Sequence, residues 1–357
     1  MRKIYSSYHH PESYPEYTRR LIRATTRETL ENTVQFMSLR ALPQDENGAL
    51  TEIDAALDLY TKRFDLGKAF WMQCSAVQAT NLPEFLEAVK KRGGYVFDLW
   101  GFVPGSYKKG LLWGEYTVTD EQHACFTSLL GDRFIGYDNG EQDGRYIGSY
   151  TPTQCPARQD NVFQQRRFYE HFDEMGGQLH NATTALCSLN YVHFFAREQN
   201  CFMLGAETAQ ALPNANLWYA YIRGAGKQYG LLWFGNASVY NRFSWKSYDI
   251  ESNGLDQEGY SYGPTAGTSL SLLRRLMYVE YLYNSDMLGF ESGLITTKAC
   301  MDRVNAGIPL EPNKTNSDKS LFTGEDAVLA PIGRIQADCI RFIKERGYAG
   351  VMAVPTA

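Results

Sequence analysis

No two of the seven cysteines in this 357-residue sequence have CxxC spacing; they are scattered at 74, 125, 155, 187, 201, 300 and 339. An odd, scattered set reads as buried free thiols, which excludes a disulfide framework. Long apolar runs are also missing, and none reaches the roughly 18 residues of a membrane-spanning helix. There is no basic excess either. The formal net charge is −5, which gives no field to attract nucleic acid or an anionic membrane. The start, MRKIYSSYHHPESYPEY, has no apolar core behind its two basic residues. As written, the chain is therefore expected to lack a signal peptide and to be cytoplasmic; a secreted or periplasmic form would carry a leader upstream. Low-complexity tracts and short repeats are absent. With 21% charged and 44% apolar residues, the composition is that of a globular fold.

Several catalytic motifs are missing as well. The six histidines (9, 10, 123, 171, 180, 193) form no HExxH and no Cys/His ligand spacing, so no metal site is expected. No GxSxG occurs, which argues against an α/β-hydrolase nucleophile elbow. GAGKQYG lacks the Ser/Thr that follows Lys in a phosphate loop, and it precedes its strand, so it reads as a helix C-terminus. His193, in YVHFFAR, reads as a core histidine. No cofactor is expected.

Aromatic residues are abundant, at 14% of the chain, with 24 Tyr, 19 Phe and 6 Trp. Two readings stand side by side: an aromatic-rich core, or exposed rings on which the apolar faces of sugars stack. The order of elements narrows the fold. Residues 1–66 read as a helical segment, with EYTRRLIRATTRETLENTVQFM and LTEIDAALDLYTKRF at helical spacing. From residue 67 to the end, short apolar runs alternate with longer amphipathic stretches. The runs are AFWMQCSA (69–76), YVFDLWGF (95–102), RFIGYD (133–138), ALCSLNY (185–191), CFMLGAE (201–207), LLWFGNASV (231–239), DMLGFES (286–292) and YAGVMAV (348–354). Helix candidates between them end at Gly93, Gly230 and Gly347, as a left-handed cap requires. This alternation predicts a (β/α)₈ barrel, of α/β class, on which the N-terminal helical segment packs. A doubly wound open sheet would show a Gly-rich turn after its first strand, and none is present. ALCSLNY also reads as part of a helix.

Parallel barrels build their active sites at the C-terminal ends of the strands, and here those ends carry carboxylates. Asp98 and Trp100 close one run; Asp138, Asn139, Glu141, Asp143 and Arg145 follow another. Glu207 ends CFMLGAE, Asn236, Ser238 and Tyr240 follow LLWFG, and Glu291 ends DMLGFE. Glu207 and Glu291 occupy matched contexts, MLGAET and MLGFES. Glycosidic cleavage needs two such groups, one neutral to protonate the leaving oxygen and one ionised to attack or to activate water. The alternative is that each is a helix N-terminal carboxylate stabilised by the macrodipole. The 138–145 loop fits sugar hydroxyls, a solvated acidic turn or a cation. It lacks the twelfth-position Glu of a calcium loop, where Ser149 stands.

With these residues in view, the chain resembles the (β/α)₈ glycoside hydrolases, in particular the retaining clan-A type. The resemblance spans residues 69–354 and rests on LGAETAQ, LGFESG, FDLWGF and YDNGEQDGRY. It implies Glu291 as nucleophile, on the seventh run, and Glu207 as acid/base. It further implies that Asp98, Trp100, Asp138, Glu141, Asn236 and Tyr240 bind a carbohydrate, with Trp233 as a second stacking candidate and Tyr240 tuning the nucleophile. Two features depart from the pattern. That clan carries its acid/base on the fourth strand directly after Asn, whereas Ala206 precedes Glu207, on the fifth run. Asn139-Gly140-Glu141 is the nearest approach to an Asn–Glu pair, one residue too long and after the third run. A non-catalytic carbohydrate-binding barrel is the alternative from another class, and oligomeric state is not legible.

Overall fold

The computed structural model describes residues 36–38, 45–73, 79–100, 118–138, 170, 176–177, 179–180, 182–187, 192–198, 201–207, 215–229, 231–237, 270–290, 298 and 327–346. Eight strands follow one another in chain order: β1 (Phe36–Ser38), β2 (Ala69–Gln73), β3 (Tyr95–Trp100), β4 (Phe134–Asp138), β5 (Thr183–Cys187), β6 (Cys201–Glu207), β7 (Leu232–Ala237) and β8 (Met287–Phe290). Every neighbouring pair is parallel, and β1 lies against β8. The helices are α1 (Ile53–Asp58, continued by a wide turn to Arg63), α2 (Leu82–Lys91), α3 (Asp120–Leu130), α4 (Val192–Glu198), α5 (Ala215–Tyr229), α6 (Leu270–Leu282) and α7 (Pro331–Arg346). Sequential parallel strands joined through helices make a (β/α)₈ barrel. Among the described residues no helix is long and apolar enough to cross a membrane.

Two sequence expectations change. Phe36–Ser38 is strand β1, although it falls inside the stretch whose spacing predicts a helix. A three-residue strand is too short to show its own periodicity, and pairing with Ala69–Trp71 decides its state. All later strands therefore move up by one: Cys201–Glu207 is the sixth, not the fifth, and Met287–Phe290 is the eighth, not the seventh. ALCSLNY contributes to a strand, β5. YAGVMAV lies outside the described residues.

The strands read as apolar runs because a parallel sheet is covered on both faces. Every residue of β7 and β8 is buried. The outer face is fixed by the helices. Trp233 packs against Tyr219 of α5, and its Nε1–H donates to the Asn284 carbonyl at 2.9 Å, so this tryptophan belongs to the core and is not a stacking platform. Gly235 faces α6, where a Cβ would come within 2.1 Å of the Glu280 Cδ. Pleating therefore sends Phe234 and Asn236 to the barrel interior. Ion pairs tie the helix ring, among them one between α6 and α7, Arg274 with Asp338 at 3.5 Å. Arg92, at the end of α2, donates from Nε to Asp58 at 2.7 Å and from Nη2 to Asp54 at 2.6 Å. Lys344 of α7 pairs with Asp65, just past α1, joining the two ends of the ring.

Glu280 is the exception in an otherwise apolar face. It lies on α6 with Leu273, Leu276, Met277 and Tyr281, is fully buried, and accepts a hydrogen bond from the Tyr219 hydroxyl at 2.7 Å. Its second oxygen has no hydrogen-bond partner among the described residues. Burial pushes its carboxyl up to about 8, against the lesser opposing effect of Tyr219. The folded state thus holds a proton that the unfolded chain releases above about 4.5. This contribution to stability is complete below that value and is lost as pH rises toward 8. Glu280→Gln is expected to stabilise the fold at pH 7 by on the order of 3 kcal/mol and to change little at pH 4.5. Thermal unfolding of both proteins across this range checks it; parallel curves would show that Glu280 is ionised in the fold.

Candidate active site

The C-terminal ends of β3, β4, β6 and β7 carry the polar residues singled out above. Asp138 is the last residue of β4, Glu207 the last of β6 and Trp100 the last of β3. Asp98 stands at an irregularity: Trp71 pairs with Phe97 and Met72 with Leu99, leaving Asp98 as the extra residue. Such bulges re-aim side chains and are frequent beside active sites. For Asp98, Trp100, Asp138 and Glu207 the structure describes the backbone. Glu141, Tyr240 and Glu291 lie outside the described residues; Glu291 follows directly on Phe290, which ends β8.

The register brings three strand ends to one level. Glu207 pairs with Asn236, and Asn236 with Gly289. Directly paired residues of a parallel sheet share a face, so Glu207 and Gly289 take the interior face with Asn236. Asn236 is fully buried. One step below, the register runs Leu186, Gly205, Phe234, Met287. The Phe234 ring covers Gly205, where a Cβ would come within 2.2 Å of ring carbon Cζ. The matched MLG motifs thus acquire a packing meaning. Their glycines flank β7, Gly205 paired with Phe234, for whose ring it leaves room, and Gly289 paired with Asn236. Below the polar row lie the buried Phe234 and Met287.

Thr184 belongs to this interior and was invisible in the sequence. It pairs with Asp138 on one side and Met203 on the other, is fully buried, and its hydroxyl has no partner among the described residues. In TTALC a threonine is an ordinary strand former; only the register shows it level with Asp138.

Among the described carboxyls, those pushed upward are Glu280, behind the sheet, and Asp286, just before β8. Asp286 accepts the Trp233 backbone N–H at 3.0 Å, and desolvation raises its carboxyl to about 8. Both brace β7 rather than face the mouth. His193 lies half-buried on α4, edge-on to Tyr221 and Tyr229 at 4.9 and 5.7 Å, so it packs among rings. Among the described residues no group of three His, Cys, Asp or Glu could hold a metal ion. The strand recount has a further consequence. The run Asn139-Gly140-Glu141 now follows the fourth strand in sequence, while the seventh strand, Leu232–Ala237, carries Asn236 and no carboxylate.

No protein-family model matches the chain, and no curated protein matches it. Solved structures similar to it include a GH113 β-1,4-mannanase, at 11% identity over 87% of this chain and 99% of that one, with a TM-score of 0.42. A double mutant of the Cellulomonas fimi endo-β-1,4-mannanase is 8% identical over 92% and 82%, with a TM-score of 0.46. An L-ribulose 3-epimerase is 11% identical over 88% and 97%, with a TM-score of 0.43. Mannanases and an epimerase are alike at the same level, so the likeness separates no reaction from another.

Removing the buried hydroxyl tests the floor of the site. Thr184→Val is expected to raise stability by about 1 kcal/mol without ligand, because an unpaired buried hydroxyl is replaced by a methyl. Denaturant unfolding checks it, and a loss of stability would show that the hydroxyl is bonded.

Proposed function

We propose that the chain is a glycoside hydrolase that cleaves an oligo- or polysaccharide with two carboxylates. The observation that carries this reading is the level row at the interior C-terminal end of the barrel: Glu207, Asn236 and Gly289, with Glu291 two residues further along the chain. Strand ends two apart in a sheet start roughly 10 Å apart. From there two glutamate side chains reach opposite sides of one glycosidic bond, with the Asn236 amide between their strands to hold a sugar hydroxyl.

In the reaction proposed, Glu207 is protonated and gives its proton to the leaving oxygen. Glu291, ionised, attacks the anomeric carbon, forming a glycosyl ester as the C–O bond to the leaving group breaks. Glu207, now a carboxylate, takes a proton from water, which displaces Glu291 and frees the sugar. This is the retaining course, and retention is taken from the resemblance to clan-A barrels; that resemblance expects the nucleophile at the seventh strand end, whereas Glu291 follows the eighth. Retention needs the carboxyls about 5–5.5 Å apart, whereas about 6.5–9.5 Å would accompany inversion. Asp98, Trp100, Asp138, Glu141 and Tyr240 complete the sugar contacts in this reading.

A second assignment has its own support. Glu141 follows the fourth strand, two residues after an Asn, where the resemblance expects the acid/base. It would then replace Glu207 in that role.

Release of reducing sugar from a broad panel of aryl glycosides and polysaccharides tests all of this. Glu291→Gln and Glu207→Gln are each expected to lower kcat at least about 100-fold while remaining folded. If Glu207→Gln keeps its activity and Glu141→Gln loses it, the acid/base is Glu141. Sugar binding with no hydrolysis at high protein concentration would overturn the enzyme reading in favour of a binding barrel. Proton NMR of the first-formed anomer is expected to show retention.

A further inference from the structure

Two histidines far apart in sequence meet outside the seam between β4 and β5. The His123 and His180 rings lie face to face, with centroids 4.3 Å apart and planes within 2° of parallel. His123 is in the first turns of α3, and His180 precedes β5 by three residues. His123 Nδ1 is 2.9 Å from the Tyr137 hydroxyl of β4, and Phe134 meets the ring edge-on. His180 Nε2 is 2.8 Å from the Val118 carbonyl. A carbonyl only accepts, so this nitrogen carries a hydrogen. The other nitrogen, Nδ1, is 3.7 Å from the exposed Asp120 carboxylate. Among the described residues, the titratable groups facing the pair are therefore Asp120 from α3 and Tyr137 from β4.

Parallel rings keep their lone pairs in separate planes, so the two cannot share one metal ion; the pair is a matter of protons. A proton on each ring places two cations face to face, one of them near the positive end of the α3 dipole. The surroundings already oppose it: burial first, then the charge of His180, hold His123 below its ordinary range, with Asp120 acting the other way. A histidine lowered in this way adds stability that is complete above about 6.5 and is lost as pH falls below it.

What the stack holds is a weakly tied part of the barrel. His180 has φ of 52°, in the left-handed region that disfavours a side chain, so its contacts must keep the turn in place. The turn leads at once to Ala182, whose carbonyl accepts the Tyr137 N–H at 2.7 Å. The described β4–β5 ladder is two residue pairs, Tyr137 with Thr183 and Asp138 with Thr184.

We propose that the His123–His180 stack is an acid-released clasp, which holds the turn before β5 against the start of α3 until the pair takes up its second proton. Release loosens the β4–β5 seam, and with it the strand end that carries Asp138. The whole chain, with histidine Cε1 labelled, is titrated by NMR from pH 8 to 4 while exchange of the Tyr137 amide is followed. The two rings are expected to titrate in coupled steps more than about one pH unit apart. Across the lower step, Tyr137 protection, corrected for intrinsic exchange, is expected to fall at least about tenfold. His123→Phe keeps a ring in the stack without a charge, and its protection is expected to stay flat. Two independent titrations, or the same acid loss in His123→Phe, would overturn the clasp. The unsubstituted protein decides alone if the variant does not fold.

Discussion

Strand β7 has to be buried on both faces at once, and the packing around it depends on how that is done. Toward the axis it presents Phe234 and Asn236; toward the helices, Trp233 and Gly235. Large residues on one strand need small ones beside or behind them. Gly205 admits the Phe234 ring, and Gly235 admits Glu280 from α6. A methyl at either place would meet an atom closer than 2.5 Å, so strand and neighbours would have to part. The register that sets Glu207 level with Asn236 is therefore a product of core packing, established below the row it positions.

The same strand is fastened at its start by polar groups. The Asn284–Asp286 turn receives the Trp233 indole N–H, the Trp233 backbone N–H and, through the Ser285 hydroxyl, the Gly235 N–H. Asp286 and Glu280 are acids that desolvation favours in the neutral form. Displaced carboxyls often mark catalytic sites, but here geometry assigns them to bracing. They separate the chemistry of the fold from that of the mouth.

At the opposite ends of the strands, carboxylates and an amide stand where a parallel barrel gathers its functional groups. The described ladders on both sides of β4 are two residue pairs each, and the stacked histidines sit just outside the seam with β5. A rim strengthened by packing at β6–β8 and held by titratable side chains at β4–β5 would respond unevenly to acid.

The sequence by itself determined the alternation of strand and helix, the barrel class, and the fact that apolar runs end in Asp138, Glu207 and Glu291. These are local properties, written in run length, spacing and the residues that close each run. It misread Phe36–Ser38 as helix, because three residues carry no period of their own. It showed the two MLG motifs but not that Gly205 makes room for the Phe234 ring. Tertiary structure alone decided the register of Glu207 with Asn236, the interior place of Thr184, the burial of Glu280 and the meeting of His123 with His180. Each depends on residues tens of positions apart. In strands covered on both faces, apolar residues occupy inward and outward positions alike, so the alternation that would reveal which side faces inward is erased.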